Sequence, residues 1–384
     1  MSAHLNFPSV KLEPRIEGFR QEVRAFLDAQ REAGAWEGIG QSWGAHNPAM
    51  SRRLGKAGYI GLTWPKEYGG KERSYLERYV YTEEILASGA PAGAHWVADR
   101  QSGPLLIRFG TAQQKELYLP LIVNGELYFS IGMSEPDSGS DLASIRTRAD
   151  QVEGGWKLTG TKIWTSGAHK NHFMIALART SPATQERHAG MSQFMVDLQS
   201  EGLEVRPIRN LMGNEGFNEV VMNGVMVPDD RVVGEIGNGW QQVTSELAYE
   251  RAGPERFLTN LHLLVELLRV VGREPSPAAA REIGRAMSHL WTLRQMSLSV
   301  AAMLSRGGDL PNTEAAVTKD LGTHFQQELP EIARRVLESV PRGDARRSFR
   351  EILDRSVLSA PAYTIQGGTT EILRGIIARG LGLR

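Results

Sequence analysis

The sequence predicts an α+β chain in which helices flank a central sheet. An N-terminal helical domain covers residues 1–124, a middle antiparallel β domain 125–233 and a C-terminal helical bundle 234–384. Three observations predict it. Apolar residues recur at helical spacing up to about Gly125, the period shortens to that of strands in the middle third, and the helical period returns from Gly234.

In the first third, Phe19, Val23, Phe26 and Leu27 mark one helix face, and Tyr75, Leu76, Tyr79 and Val80 mark another. Thr111 with Gln114 has the spacing of a capping box ahead of a further helix. The middle third opens with "GWKLTGTKIWTSG", which alternates around Thr159-Gly160 as a hairpin would. The runs "HFMIALAR", "SQFMVDL" and "NEVVMNGVMV" read as further short strands, separated by Gly, Asn, Asp and Pro. Beyond Gly234 the helical pattern is broken at "REPSPAAA" and "SRGGDLPN", which gives several helices. A sheet interrupting a helical domain leaves a cleft between layers, and such boundaries are where cofactors bind.

Composition narrows the function. Lys plus Arg and Asp plus Glu both number 44, so the formal charge is zero and no bulk attraction to nucleic acid or an anionic membrane is expected. The absence of cysteine excludes disulfides, thiolate metal sites and thiol nucleophiles. The start "MSAHLNFPSVKLEP" shows no charged segment followed by an apolar run, and no stretch is long and apolar enough to span a bilayer. A cytoplasmic protein without membrane insertion is the expectation. "GIGQSWG" lacks the strand context of a dinucleotide fingerprint and reads as a loop. His169 and His172 have no third ligand nearby in sequence, so no metal is assigned. The markers of serine acyl transfer and of phosphate-binding loops are also missing.

One run does carry chemistry. In "YFSIGMSEPDSGSDLASIRTRA" the small residues Gly132, Ser134, Ser138, Gly139 and Ser140 let a ligand approach the backbone, and the hydroxyls can donate hydrogen bonds. Trp164 and Ser166 offer an aromatic face and a donor two residues apart, on one side of a strand. Trp164 taken alone reads equally well as a buried core residue. At the C-terminus, Gly367 and Gly368 permit a tight turn, Thr369 or Thr370 can cap the helix that follows, and Glu371 falls in its first turn.

Taken in order, "SEPDSGSD", "GWKLTGTKIWTSGAHKNHFMIALAR", "FNEVVMNGVMVPDDRVVGE" and "QGGTTEILRGIIARGLG" resemble the acyl-CoA dehydrogenase family over nearly the whole chain. The resemblance implies an acyl-CoA dehydrogenase-like fold with a C-terminal four-helix domain, an FAD cofactor and a fatty-acyl-CoA substrate. It implies that Met133 and Ser134 contact the flavin ring and that Ser140 lies nearer the substrate and the cofactor's polar tail. Trp164 would lie against the ring, Ser166 would bond near the nitrogen that accepts hydride, and Gly368, Thr369 and Glu371 would border the same ring, with Gly139 in the cofactor loop.

Such chemistry needs a general base over the substrate. Many family members place a glutamate immediately before the Gly-Thr pair of the last motif, where this chain has Gly367. Some relatives use the first helix of the last domain instead. There, Trp240, Val243 and Leu247 form an apolar stripe that Glu250 interrupts before it resumes at Phe257, Leu261 and Leu264. Pro254 cannot donate to the carbonyl of Glu250, so a kink is expected there. A glutamate desolvated on such a stripe has its pKa raised, which suits a base. Its alternative is a surface residue paired with Arg251 or Arg256. Arg251 matches the position that contacts CoA in relatives, and it reads equally as a solvated arginine.

Cross-subunit FAD contacts of homotetrameric members have no match in "LLRVVGREPSPAAAREIGRAM" or "DRSVLSAPAYTIQGGTTEILR". A homo- or hetero-oligomer is therefore expected, with the hetero-oligomer resembling dehydrogenases for bulky acyl groups such as sterol side chains. An electron-transferring flavoprotein is the implied electron acceptor. Two rival readings remain: a flavin oxidase or monooxygenase of the same fold, and a non-catalytic or half-site subunit.

Overall fold

The computed structural model describes residues 5–37, 42–182, 186–250, 252–307, 310–341 and 343–383, with the backbone alone for 246–250. Helices α1 (Pro14–Glu32), α2 (Pro48–Lys56), α3 (Tyr75–Ser88), α4 (Gly93–Val97), α5 (Gly103–Phe109) and α6 (Ala112–Val123) come first. Strands β1 (Phe129–Gly132), β2 (Arg148–Val152), β3 (Gly155–Ser166), β4 (Phe173–Arg179), β5 (Met191–Asp197), β6 (Leu203–Ile208), β7 (Phe217–Pro228) and β8 (Val232–Val233) follow. The chain closes with α7 (Gly239–Glu250), α8 (Glu255–Leu258), α9 (Leu261–Val271), α10 (Pro277–Arg306), α11 (Asn312–Leu337), α12 (Asp344–Ser359) and α13 (Thr370–Gly380). The expected order of helices, sheet and helices is the observed one. By contacts the chain divides into two compact units, one of Met1–Ser42, Ser74–Ala90 and Ala248–Arg384, the other of Trp43–Arg73 and Pro91–Leu247.

The first unit is helical. Ile16, Phe19, Val23 and Leu27 bury one face of α1, and α3 starts on a complete capping box between Ser74 and Glu77. Arg20 of α1 reaches Glu83 and Glu84 of α3 at 3.0 and 2.8 Å, and Arg294 of α10 reaches Glu83 at 2.7 Å. Arg20, Glu83 and Glu84 are buried, and each has an opposite partner. The long helix α11 packs against α8, α9, α10, α12 and α13, burying Ala315, Phe325, Leu329, Ile332 and Val336.

Pro254 does more than kink a helix. α7 ends at Glu250, and α8 begins at Glu255 with Pro254 as its N-cap, so the stripe expected from Trp240 to Leu264 is carried by three helices, α7, α8 and α9. A residue without an N–H is tolerated at a helix start, and the chain restarts there rather than bending through it.

The second unit is built on an eight-stranded sheet with the order β6-β7-β3-β2-β4-β5-β8, and β1 joined to β4. Most neighbours are antiparallel, but β1 runs parallel to β4, and β2 meets β4 in parallel at Arg148 and Arg179. The sheet is thus antiparallel in the main, as expected, and the β2–β3 hairpin supplies the crossover that the parallel contact of β2 with β4 requires. One face of the sheet buries Trp156, Leu158, Met174, Phe194, Val196, Val220 and Met222.

The hairpin expected at Thr159-Gly160 is absent. β3 is one strand of 12 residues, paired with β7 along one edge and β2 along the other, and the hairpin turn lies earlier, between Val152 and Gly155. Gly160 follows a register shift between Leu158 and Thr159, and a Cβ on it would come 2.5 Å from Thr147 Oγ1. Close backbone approach, not a turn, is what requires glycine here. The capping box at Thr111 and Gln114 is formed, with both bonds at 3.1 Å.

Candidate functional site

Met133, Ser134, Gly139, Ser140, Trp164 and Ser166 all lie in the sheet unit. β1 delivers the chain to Met133 and Ser134, and the loop then folds on itself through paired backbone bonds between Glu135 and Ser138. Ser138 Oγ donates to the Asp141 carbonyl at 2.7 Å, which tightens the turn. Gly139 and Ser140 are exposed at its tip, and a Cβ on Gly139 would meet nothing within 4 Å.

Trp164 is brought beside this loop by β3. Ile163 N donates to the Ser134 carbonyl at 2.9 Å, and the next residue, Trp164, has a left-handed backbone with φ of 60°. The pairing of β3 with β7 is irregular between Lys162 and Thr165. Trp164 is 57% exposed and meets Phe217 edge-on, the ring centroids 6.2 Å apart. The core-residue reading of Trp164 therefore fails. A bulky residue in this backbone region costs energy and is maintained by its surroundings, a pattern that concentrates at ligand sites. Ser166 is exposed as well, while its carbonyl accepts from Ser130 Oγ at 2.8 Å. Asn171 Nδ2 donates in turn to Ser130 Oγ at 2.9 Å and to the Phe129 carbonyl at 2.8 Å, fixing β1 to the end of β3.

A charged pair that the sequence reading missed lies under this surface. Lys162 is wholly buried, its Nζ 2.8 Å from Glu135 Oε1 and 3.1 Å from the Met133 carbonyl. Glu135 also accepts from Arg146 N at 2.6 Å and Thr147 N at 2.9 Å. Burial alone would raise the Glu135 carboxyl, yet Lys162 and these donors hold it below the usual carboxylate range. Burial lowers the Lys162 ammonium to about 8 against the opposing pull of Glu135. Among the signals in the sequence, only the presence of both residues inside the quoted motifs pointed to them.

The C-terminal residues lie in the helical unit. Gly367 and Gly368 take φ of 66° and 99°, and Thr369 caps α13 by accepting from Ile372 N at 3.4 Å. Buried Lys319 of α11 donates from Nζ to the Gly368 carbonyl at 2.7 Å, a support the sequence did not reveal. Glu371 is exposed, and its own backbone N–H, then the Thr369 hydroxyl, hold its carboxyl below the usual range. Thr370 Oγ1 is buried without a hydrogen-bond partner. Glu250 is the last residue of α7, its side chain lies outside the described residues, and Arg251 lies outside them altogether. His169 and His172 serve different partners: His169 Nδ1 is 2.8 Å from Asn218 Oδ1, whereas His172 Nδ1 accepts from Tyr128 N at 3.1 Å.

Three family models match the chain: the acyl-CoA dehydrogenase N-terminal domain over residues 14–126, middle domain over 130–225 and C-terminal domain over 237–382. The acyl-CoA dehydrogenase IpdE1 of Mycobacterium tuberculosis is 35% identical, across 96% of this chain and 98% of its own. Among solved structures, the Tcur3481-Tcur3483 steroid ACAD has a TM-score of 0.86 at 28% identity, covering 97% of this chain and 98% of that one. The ChsE4-ChsE5 complex from Mycobacterium tuberculosis has a TM-score of 0.83 at 27% identity, covering 98% of this chain and 100% of that one. With the ordered motifs, the matching fold and these relatives in agreement, the chain belongs to the acyl-CoA dehydrogenase family of FAD-dependent oxidoreductases.

Proposed function

We propose that this acyl-CoA dehydrogenase converts a bulky acyl-CoA thioester to its trans-2-enoyl-CoA, with Glu250 as the base. The observation that carries the reading is Trp164, exposed in a left-handed backbone beside Ser134. Its surroundings fit the flavin: a broad aromatic face stands free and open space surrounds Gly139. FAD, when bound, supplies a hydride acceptor for the substrate β carbon.

The chain's own residues do the rest. Met133, Ser134, Gly139, Ser140, Trp164 and Ser166 are proposed to hold the cofactor, with Gly368, Thr369 and Glu371 at the mouth of α13. Glu250 takes the α proton onto its carboxylate, and that pair of C–H electrons becomes the new double bond as hydride leaves the β carbon. Arg251 is proposed to bind CoA, and Ser140 to touch the substrate. The proposed electron acceptor is an electron-transferring flavoprotein.

A polycyclic acyl group is favoured by the steroid-acting relative and by the absent cross-subunit motifs, and the same observations support assembly with a second, related chain. They also support a second reading, a half-site subunit that completes a partner's flavin site. Flavin content and dye-coupled turnover across an acyl-CoA panel, on the purified chain and on Glu250→Gln, test the first reading. Flavin bound with no turnover of any acyl-CoA, by the chain alone or with its partner, would refute it.

A further inference from the structure

A buried ammonium is an expensive way to stabilise a strand, because an apolar side chain of similar volume does so at least as well. Lys162 is therefore informative for what it touches. Its Nζ bonds the Met133 carbonyl and the Glu135 carboxylate, while Glu135 is held in turn by the backbone of Arg146 and Thr147. One buried point thus fixes the turn after β1, the start of β2's approach and the β3 segment immediately before Trp164. Beside the pair, Ile163 N to the Ser134 carbonyl at 2.9 Å also joins the turn at 133–135 to the segment at 162–164. Left-handed backbone at a tryptophan persists only where its surroundings over-determine it.

We propose that Glu135 and Lys162 are positioning residues that set the orientation of Trp164 for the flavin ring, an inference that rests on the flavin-binding reading above. The pair acts through backbone: it locks the Met133–Glu135 turn to Lys162, and two residues further along β3 Trp164 takes the left-handed step that turns the indole outward.

The test uses the full chain labelled with 5-fluorotryptophan, whose eight tryptophans give separate fluorine resonances, with Trp164 assigned by its loss in Trp164→Phe. Lys162→Met and Glu135→Gln each leave one partner alone, so Lys162→Met/Glu135→Gln, which leaves no unpaired charge, is the deciding variant. The expected result is a displaced Trp164 resonance, an unmoved Trp156 resonance on the same strand, and FAD binding weaker by about tenfold, the scale of losing an outer-shell support. A folded double variant with the wild-type Trp164 resonance and wild-type FAD affinity overturns the proposal. So does a double variant that fails to fold, since the pair is then a stability element. Wild-type chain that binds no FAD, alone or with its partner, sinks the flavin reading instead, and the Trp164 resonance still reports on the pair.

Discussion

Gly367 turns with φ of 66° against Arg256, so closely that a Cβ on the glycine would stand 3.1 Å from the guanidinium Nη2. Position 367 is thus a left-handed glycine facing a buried cation, and both features disfavour a side chain there. Gly367→Ala is expected to lower unfolding free energy by about 1–2 kcal/mol, the cost of a left-handed residue with a Cβ. Gly139→Ala, in open space, should stay within about 0.5 kcal/mol of wild type. Urea unfolding of both variants checks this, and equal costs would contradict it.

Glu250→Gln keeps the shape of the proposed base and removes its proton affinity. Turnover should fall by roughly a hundredfold to ten-thousandfold with little change in KM. Steady-state kinetics with an accepted acyl-CoA reads this directly, and a variant with undiminished kcat would remove Glu250 from the chemistry.

Trp164 separates stability from cofactor binding. Trp164→Gly relieves the left-handed strain and removes only an exposed ring, so the flavin-free chain should lose less than about 1 kcal/mol. FAD affinity should nevertheless drop measurably in a fluorescence titration. Retained affinity would place the ring elsewhere.

His95 gives the fold a pH dependence. It is buried in α4 with Nδ1 2.8 Å from Ser51 Oγ, and burial takes its imidazole from 6.5 to about 4. Between those values the unfolded chain binds a proton that the folded chain does not. Stability from the neutral imidazole is whole above pH 6.5 and is lost as pH falls toward 4, by about 3 kcal/mol. Unfolding at pH 7 and pH 4.5 should therefore show a smaller acid loss for His95→Gln than for wild type, and identical losses would clear His95 of the effect.

The order of helices, sheet and helices was legible in the sequence because periodicity is a local property, as were the Thr111 cap, the breaks before α10 and α11, and the strand side shared by Trp164 and Ser166. Strict alternation along β3 would put Lys162 on that same side. Tertiary structure decides otherwise: the shifted pairing with β7 between Lys162 and Thr165 turns Lys162 inward onto Glu135 and leaves Trp164 outward. The same holds for Gly160, which serves Thr147 rather than a turn, and for Gly367, whose missing side chain makes room for Arg256. Register irregularities and close approaches depend on segments far away in the chain, and no local pattern of residues specifies which partner arrives.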